Sequence, residues 1–153
     1  MTKILMVCLG NICRSPLAEG ILKSKLSEER FIIESAGTAN YHIGELPDKR
    51  SIEIALQHDI NITGQRGRQF KTGDFDYFDF IYVMDRSNYQ NVVRLARNDQ
   101  DKNKVKLILN EIYPNENMDV PDPYYGGNDG FRNVFDLLDN ACDIIAKKLT
   151  SNQ

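Results

Sequence analysis

Apolar positions follow two rhythms along this chain. Short runs predict four strands: Lys3-Ile4-Leu5-Met6-Val7, Phe31-Ile32-Ile33-Glu34-Ser35, Asp79-Phe80-Ile81-Tyr82-Val83-Met84 and Lys104-Val105-Lys106-Leu107-Ile108-Leu109. Between them the apolar residues recur at helical spacing. Leu17, Ala18, Ile21, Leu22 and Leu26 predict a helix over 16–27, and Ile52, Ile54, Ala55 and Leu56 one opened by Pro47 and Asp48 and ending near His58. Val92, Val93 and Leu95 predict a third, capped by Asp85. Phe131, Val134, Phe135, Leu138, Ala141, Cys142, Ile145 and Leu149 predict a closing helix from Asp129 onward, with Cys142 in its core face. Strands that alternate with helices imply right-handed crossovers and a parallel sheet covered on both faces, with a ligand site at the carboxyl ends of the strands.

The breaks in this pattern are as informative as the pattern. The stretch Ala36 to Gly44 is small and polar, a loop carrying Tyr41 and, at the rim of the presumed cleft, His42. Gln65 to Lys71 is basic and irregular, and Arg66, Arg68 and Lys71 are expected on a solvated turn. Asn110 to Asn128 is long for a connection and holds Pro114, Pro121, Pro123 and a Gly126-Gly127 pair, which marks a functional loop. At its centre stands Asp122-Pro123-Tyr124-Tyr125. His58, at a helix end, is expected to be hydrogen-bonded structure.

Composition narrows the classes. At 153 residues the chain suits one domain, 1–153, able to bury a core without staples. With 27% charged residues and a net charge of -3, nucleic acid is not expected as the main partner. No apolar run approaches the roughly 18 residues that a membrane span requires, and no signal peptide pattern opens the chain, so membrane insertion is not expected and the expected setting is cytoplasmic. Three cysteines and two histidines form neither a disulfide framework nor a zinc pattern. Neither a metal nor a cofactor is expected.

The candidate chemistry lies in the first break, Cys8-Leu9-Gly10-Asn11-Ile12-Cys13-Arg14-Ser15, between a strand and a helix. Pro16 suits the first helical position and Ser15 the cap before it. Such a turn aims backbone N–H groups and the positive end of a helix dipole at one point, which makes an anion site. The same positive groups favour a thiolate, so Cys8 is a candidate nucleophile. Arg14 can pair bidentately with two oxygens of a tetrahedral oxyanion, and phosphorus is the natural electrophile. Asp122, from a loop at the same sheet edge, is the candidate that protonates the leaving oxygen and then activates water.

Cys-x5-Arg-Ser near the start, Ser35-Ala36-Gly37-Thr38 in the middle and Asp122-Pro123-Tyr124-Tyr125 late resemble the low-molecular-weight protein tyrosine phosphatases over nearly the full length. The resemblance implies a three-layer α/β fold with a four-stranded parallel sheet of order 2-1-3-4 flanked by helices. It implies that Cys8 forms a cysteinyl-phosphate, that Arg14 binds phosphate, and that Asp122 is general acid and then base. Leu9, Gly10, Asn11, Ile12, Cys13, Arg14 and Ser15 would form the phosphate-binding loop. In it Asn11 would hold the conformation and Ser15 would donate to the thiolate. Tyr41, Tyr124 and Tyr125 match an aromatic rim for the phenyl ring of phosphotyrosine-containing proteins. For Cys13 two readings stand, a buried inert thiol or, as the family often shows, a partner for Cys8 in a reversible disulfide.

Three other readings share these residues. A phosphoarginine phosphatase branch tends to carry threonine where this chain has Ile12, whose apolar side chain favours an aromatic ring. Thiol-dependent arsenate reductases relay oxidation through further cysteines in the third quarter of the chain, and none lies between Cys13 and Cys142. A binding module without turnover would not need nucleophile, arginine and acid together.

Overall fold

A computed structural model describes residues 1–151; Asn152 and Gln153, the last two positions of the expected 1–153 domain, lie outside the described residues. The four strands are β1 (Thr2–Cys8), β2 (Phe31–Gly37), β3 (Phe80–Val83) and β4 (Val105–Leu107). They form one parallel sheet in the order 2-1-3-4, as the resemblance implied. The expected helices are α1 (Arg14–Lys25), α2 (Lys49–Leu56), α4 (Arg86–Val93) and α6 (Gly130–Thr150). Two further short helices, α3 (Asp74–Tyr77) and α5 (Asp99–Asn103), fall where the sequence pattern predicted no element. They are a turn or so long, too short to leave a periodic apolar signal.

The central strand explains the two-faced core. Along β1 successive side chains point to opposite faces. Ile4, Met6 and Cys8 join a core with α1 and α6, whereas Leu5 and Val7 join a second core with Phe70, Phe75, Phe78 and Val92. Ile4 through Val7 are fully buried, so this strand reads as a continuous apolar run rather than an alternating one. No helix among the described residues is long and apolar enough to cross a membrane.

Boundaries shift where side chains have other duties. β4 ends at Leu107, and Ile108 and Leu109, expected in the strand, turn into a 3-10 helix over Ile108–Glu111 that keeps both buried. Helix α1 starts at Arg14, two residues before Pro16, and its first turn has no side-chain cap. The expected cap at Ser15 is therefore corrected: Ser15 lies inside the helix and its hydroxyl meets Cys8 Sγ at 3.0 Å instead. Asp85 does cap α4, accepting from the Asn88 N–H.

Register brings the site together. Cys8 pairs with Gly37 across β1 and β2. Beyond β3, the Met84 N–H donates to the Val7 carbonyl at 3.1 Å and the Val120 N–H donates to the Met84 carbonyl at 2.9 Å. The segment leading to Asp122 is thus stitched beside the end of β1.

Candidate active site

The loop after β1 is built around a carboxamide. Asn11 is buried and takes a positive φ of 58°, a conformation Asn tolerates better than other side chains with a Cβ. Its Oδ1 accepts from the Arg68 backbone N–H at 3.0 Å, which fixes the orientation of the amide. Its Nδ2 then donates to Ser15 Oγ at 2.9 Å and to Ser35 Oγ at 3.0 Å. Ser35 sends its own hydrogen to Glu19 Oε1 at 2.7 Å, and Lys23 bonds the other oxygen of that buried carboxylate at 2.6 Å. Because Ser15 accepts from Asn11, its hydroxyl hydrogen is available to Cys8 Sγ, which also receives the Asn11 N–H at 3.3 Å. The Ser15 hydroxyl also lies 3.5 Å from the Ala36 carbonyl, so the sulfur and that oxygen are its two possible acceptors.

The loop also needs room above β2. A Cβ on Gly37 would lie 2.8 Å from the Leu9 carbonyl oxygen and 3.1 Å from the Asn11 nitrogen. With glycine there, the Thr38 and Ala39 N–H groups donate to the Cys8 and Leu9 carbonyls, each at 2.9 Å. The uncapped first turn of α1 leaves its N–H groups for a ligand at this same point.

Arg14 is buried, and its Nη1 donates to Asp85 Oδ2 at 2.8 Å and to the Val120 carbonyl at 2.9 Å. Those partners come from the ends of two further segments, one after β3 and one before Asp122. Asp122 accepts the Tyr124 N–H at 3.0 Å and opens a 3-10 turn over Pro123–Tyr125.

A single cleft is lined by Cys8, Leu9, Gly10, Ile12, Cys13, Arg14, Tyr41, His42, Asp122, Pro123 and Tyr124. Nucleophile candidate, arginine, acid candidate and two of the three rim tyrosines therefore meet. Asn11 and Ser15 lie beneath the loop. Tyr125, the third expected rim residue, is 90% exposed beside Tyr124 and does not line this cleft. His42 lies at the rim beside Glu45, as expected of a rim residue. His58 stacks on Phe135 with ring centres 4.0 Å apart and lies 3.1 Å from the Ile54 carbonyl, a structural setting.

Cys13 and Tyr124 are joined. The thiol donates to the Tyr124 hydroxyl at 3.2 Å, and that hydroxyl donates to Asp48 Oδ2 at 3.0 Å. Burial pushes the Cys13 thiol up to about 12, with the Asp48 and Cys8 charges adding to it and the bonds to Tyr124 and Ser51 opposing. Burial, Cys13 and Asp48 likewise raise the Tyr124 phenol. Cys142 is buried in the core, as expected.

Several supporting residues escape sequence reasoning. Asp85 announces itself only as a helix cap. Arg68, expected on a solvated turn, instead donates its backbone N–H to Asn11 and forks onto the buried Asp74 at 3.1 Å through each terminal nitrogen. Glu19 hides within a helix, its sole outward signal being Lys23 four residues later. Among the described residues no group of three His, Cys, Asp or Glu side chains is placed to hold a metal ion.

A family model described as low molecular weight phosphotyrosine protein phosphatase matches residues 3–153. A low molecular weight phosphotyrosine protein phosphatase of Schizosaccharomyces pombe is 41% identical over 143 residues, covering 88% of this chain and 90% of that protein. A crystal structure of a protein tyrosine phosphatase from Entamoeba histolytica, with Hepes in its active site, superposes with a TM-score of 0.90 at 36% identity, covering 99% of each chain. The Wzb protein of Vibrio vulnificus, in complex with benzylphosphonate, superposes with a TM-score of 0.86 at 31% identity, covering 96% of this chain and 98% of that one. By model, sequence and fold together, the chain belongs to the low molecular weight phosphotyrosine protein phosphatase family.

Proposed function

We propose that this protein hydrolyses phosphotyrosine in proteins through a cysteinyl-phosphate. The observation that carries the reading is the meeting of Cys8, Arg14 and Asp122 in one cleft walled by Tyr41 and Tyr124. Relatives named as phosphotyrosine phosphatases and a neighbour bound to benzylphosphonate, a phosphonate one methylene away from an aromatic ring, support the aryl phosphate as substrate.

In the first step the Cys8 thiolate attacks phosphorus from the side opposite the tyrosyl oxygen. A P–S bond forms as the P–O bond breaks, and Asp122 gives its proton to the departing phenolate. Arg14, held from behind by Asp85, uses its remaining N–H groups on two of the equatorial oxygens, where charge gathers in the transition state. In the second step the Asp122 carboxylate takes a proton from water as that water attacks phosphorus. The P–S bond breaks, inorganic phosphate leaves, and the Cys8 thiolate returns with the Ser15 hydroxyl and the Asn11 N–H donating to it.

The whole of 1–153 acts as a single domain in this reading. Cys8, Cys13 and Cys142 are all free thiols, which agrees with a reducing, cytoplasmic setting.

The test is a side-by-side assay on peptides carrying phosphotyrosine, phosphoserine or phosphoarginine, with arsenate reduction as a further arm. Phosphotyrosine is expected to be released fastest, and Cys8→Ser is expected to bind the phosphopeptide without releasing phosphate. Preference for phosphoarginine, thiol-driven arsenate reduction, or sustained hydrolysis by Cys8→Ser would overturn the reading.

A further inference from the structure

We propose that Asp48, together with Arg50, is a positioning clamp that holds Tyr124, and with it the segment carrying Asp122, against the Cys8 loop. The inference rests on the cleft being the aryl phosphate site.

The base of the clamp is fixed to the loop itself. The Asp48 N–H donates to the Ile12 carbonyl at 2.7 Å, so the start of α2 is tied to the phosphate-binding stretch. Ser51, one turn later, reaches the Cys13 carbonyl at 3.4 Å. From this base the Asp48 carboxylate reaches two ways. Oδ1 accepts from the Arg50 N–H at 2.8 Å and from its Nε at 3.1 Å. Oδ2 accepts from Arg50 Nη2 at 3.2 Å and from the Tyr124 hydroxyl at 3.0 Å, across 76 residues of chain.

Arg50 closes the other side. Its guanidinium lies 4.7 Å from the Tyr124 ring centre and 4.6 Å from that of Phe131, the first apolar residue of α6. Tyr124 is therefore gripped at its hydroxyl by Asp48 and Cys13 and over its ring by Arg50, although it is 46% exposed. Its own N–H donates to Asp122 Oδ1 at 3.0 Å. A ring fixed in this way sets both the width of the slot and the place of the proposed proton donor, since the two residues share one 3-10 turn. Burial alone would raise the Asp48 carboxyl, but the bonds from Arg50 and Tyr124 hold it below the usual carboxylate range, so it keeps the charge that the clamp needs at neutral pH.

Asp48 also caps α2. The test therefore uses Asp48→Asn, which keeps a cap acceptor while losing the charge, with Arg50→Lys as a second variant that keeps the charge and loses the planar fork. Each is combined with Tyr124→Phe in a double-mutant cycle, read as kcat and KM on p-nitrophenyl phosphate and on phenyl phosphate. Each single change is expected to lower kcat/KM on phenyl phosphate by about tenfold. The loss on p-nitrophenyl phosphate is expected to be smaller, because that leaving group needs the proton donor less. The double variants are expected to fall no further than the worse single, because all of them break one clamp. Losses that multiply, or that strike both esters alike, would overturn the clamp while leaving the phosphatase reading intact. A wild-type protein that turned over neither ester would overturn both.

Discussion

Arg14 is held at one terminal nitrogen by Asp85, 71 residues away, at 2.8 Å. Among the described residues its hydrogen bonds, to Asp85 and to the Val120 carbonyl, use Nη1, and Nε and Nη2 are the nitrogens proposed to meet oxygens in the cleft. With the Asp85 side chain 19% exposed, the pair is only slightly screened, and a broken partner would leave a nearly buried cation loose.

The exchange Asp85→Asn separates this duty from the capping of α4, because asparagine still accepts from the Asn88 N–H. It is expected to lower kcat/KM by about 10- to 100-fold, the rate equivalent of a hydrogen bond to a charged group. Inorganic phosphate is expected to inhibit it less by a similar factor, with the thermal midpoint moved only slightly. Unchanged inhibition by phosphate would show that Arg14 orients itself without Asp85.

What the sequence revealed and what it hid divide along a physical line. α6 was legible because it buries one face, which writes a helical period into the chain, and β1 because burial on both faces leaves an unbroken apolar run. Cys8, Arg14 and Asp122 were legible because they stand in short motifs that fix their local geometry. Asp85 and Asp48 were legible only as helix caps, since a local bond to an N–H leaves a local signature and a bond across 71 or 76 residues leaves none. Ser15 was misread for the converse reason: a serine before proline at a helix start has the signature of a cap, yet its hydroxyl is committed to Cys8. A Tyr-Tyr pair does not say which member lines the cleft: Tyr124 does, while Tyr125 stands exposed beside it.

Gly37 permits the loop to pass over β2. In Gly37→Ala the new methyl would meet the Leu9 carbonyl and the Asn11 nitrogen, both backbone atoms that cannot rotate aside. Overpacking of this kind costs about 1–3 kcal/mol. Here the strain falls on the Cys8 loop, so kcat/KM is expected to drop by more than the loss of stability accounts for. Urea unfolding and steady-state kinetics on one preparation check this; a variant with full activity per folded molecule would refute it.

Cys13 has a pH signature of its own. Its thiol stands at about 12 in the folded chain against an ordinary value of 9.0. A raised value means that its contribution to stability is complete below pH 9 and is lost as pH rises toward 12. The urea midpoint is therefore expected to decline over this alkaline window more steeply in wild type than in Cys13→Ser, which has nothing to ionise there. At neutral pH iodoacetamide is expected to modify Cys8 and spare Cys13, as peptide mapping would show. Peroxide separates the two readings of Cys13. If Cys13 pairs with Cys8 in a reversible disulfide, dithiol restores activity in wild type but not in Cys13→Ser, where oxidation of Cys8 proceeds to forms that thiols do not reverse. Equal recovery in both would assign Cys13 solely to its bond with Tyr124.

Asp122 is asked to do two things in turn, and the two can be told apart. Its Oδ1 is committed to the Tyr124 N–H, which leaves Oδ2 to carry the proton. Asparagine in its place can keep the bond to that N–H but can neither give nor take a proton at neutral pH. With phenyl phosphate, whose leaving group is a poor one, Asp122→Asn is expected to lose about 10²- to 10⁴-fold in kcat/KM. With an ester of a strongly acidic phenol, which departs without protonation, the first step is expected to survive while the second, now lacking its base, slows. The phenol should then appear as a rapid burst equal to the enzyme present, followed by slow turnover, the kinetic mark of an accumulating intermediate. Rapid-quench measurement of that burst, with phosphate found on Cys8 by peptide mapping, would join the proton donor and the nucleophile in one experiment. Equal losses on the two esters with no burst would reduce Asp122 to a turn residue.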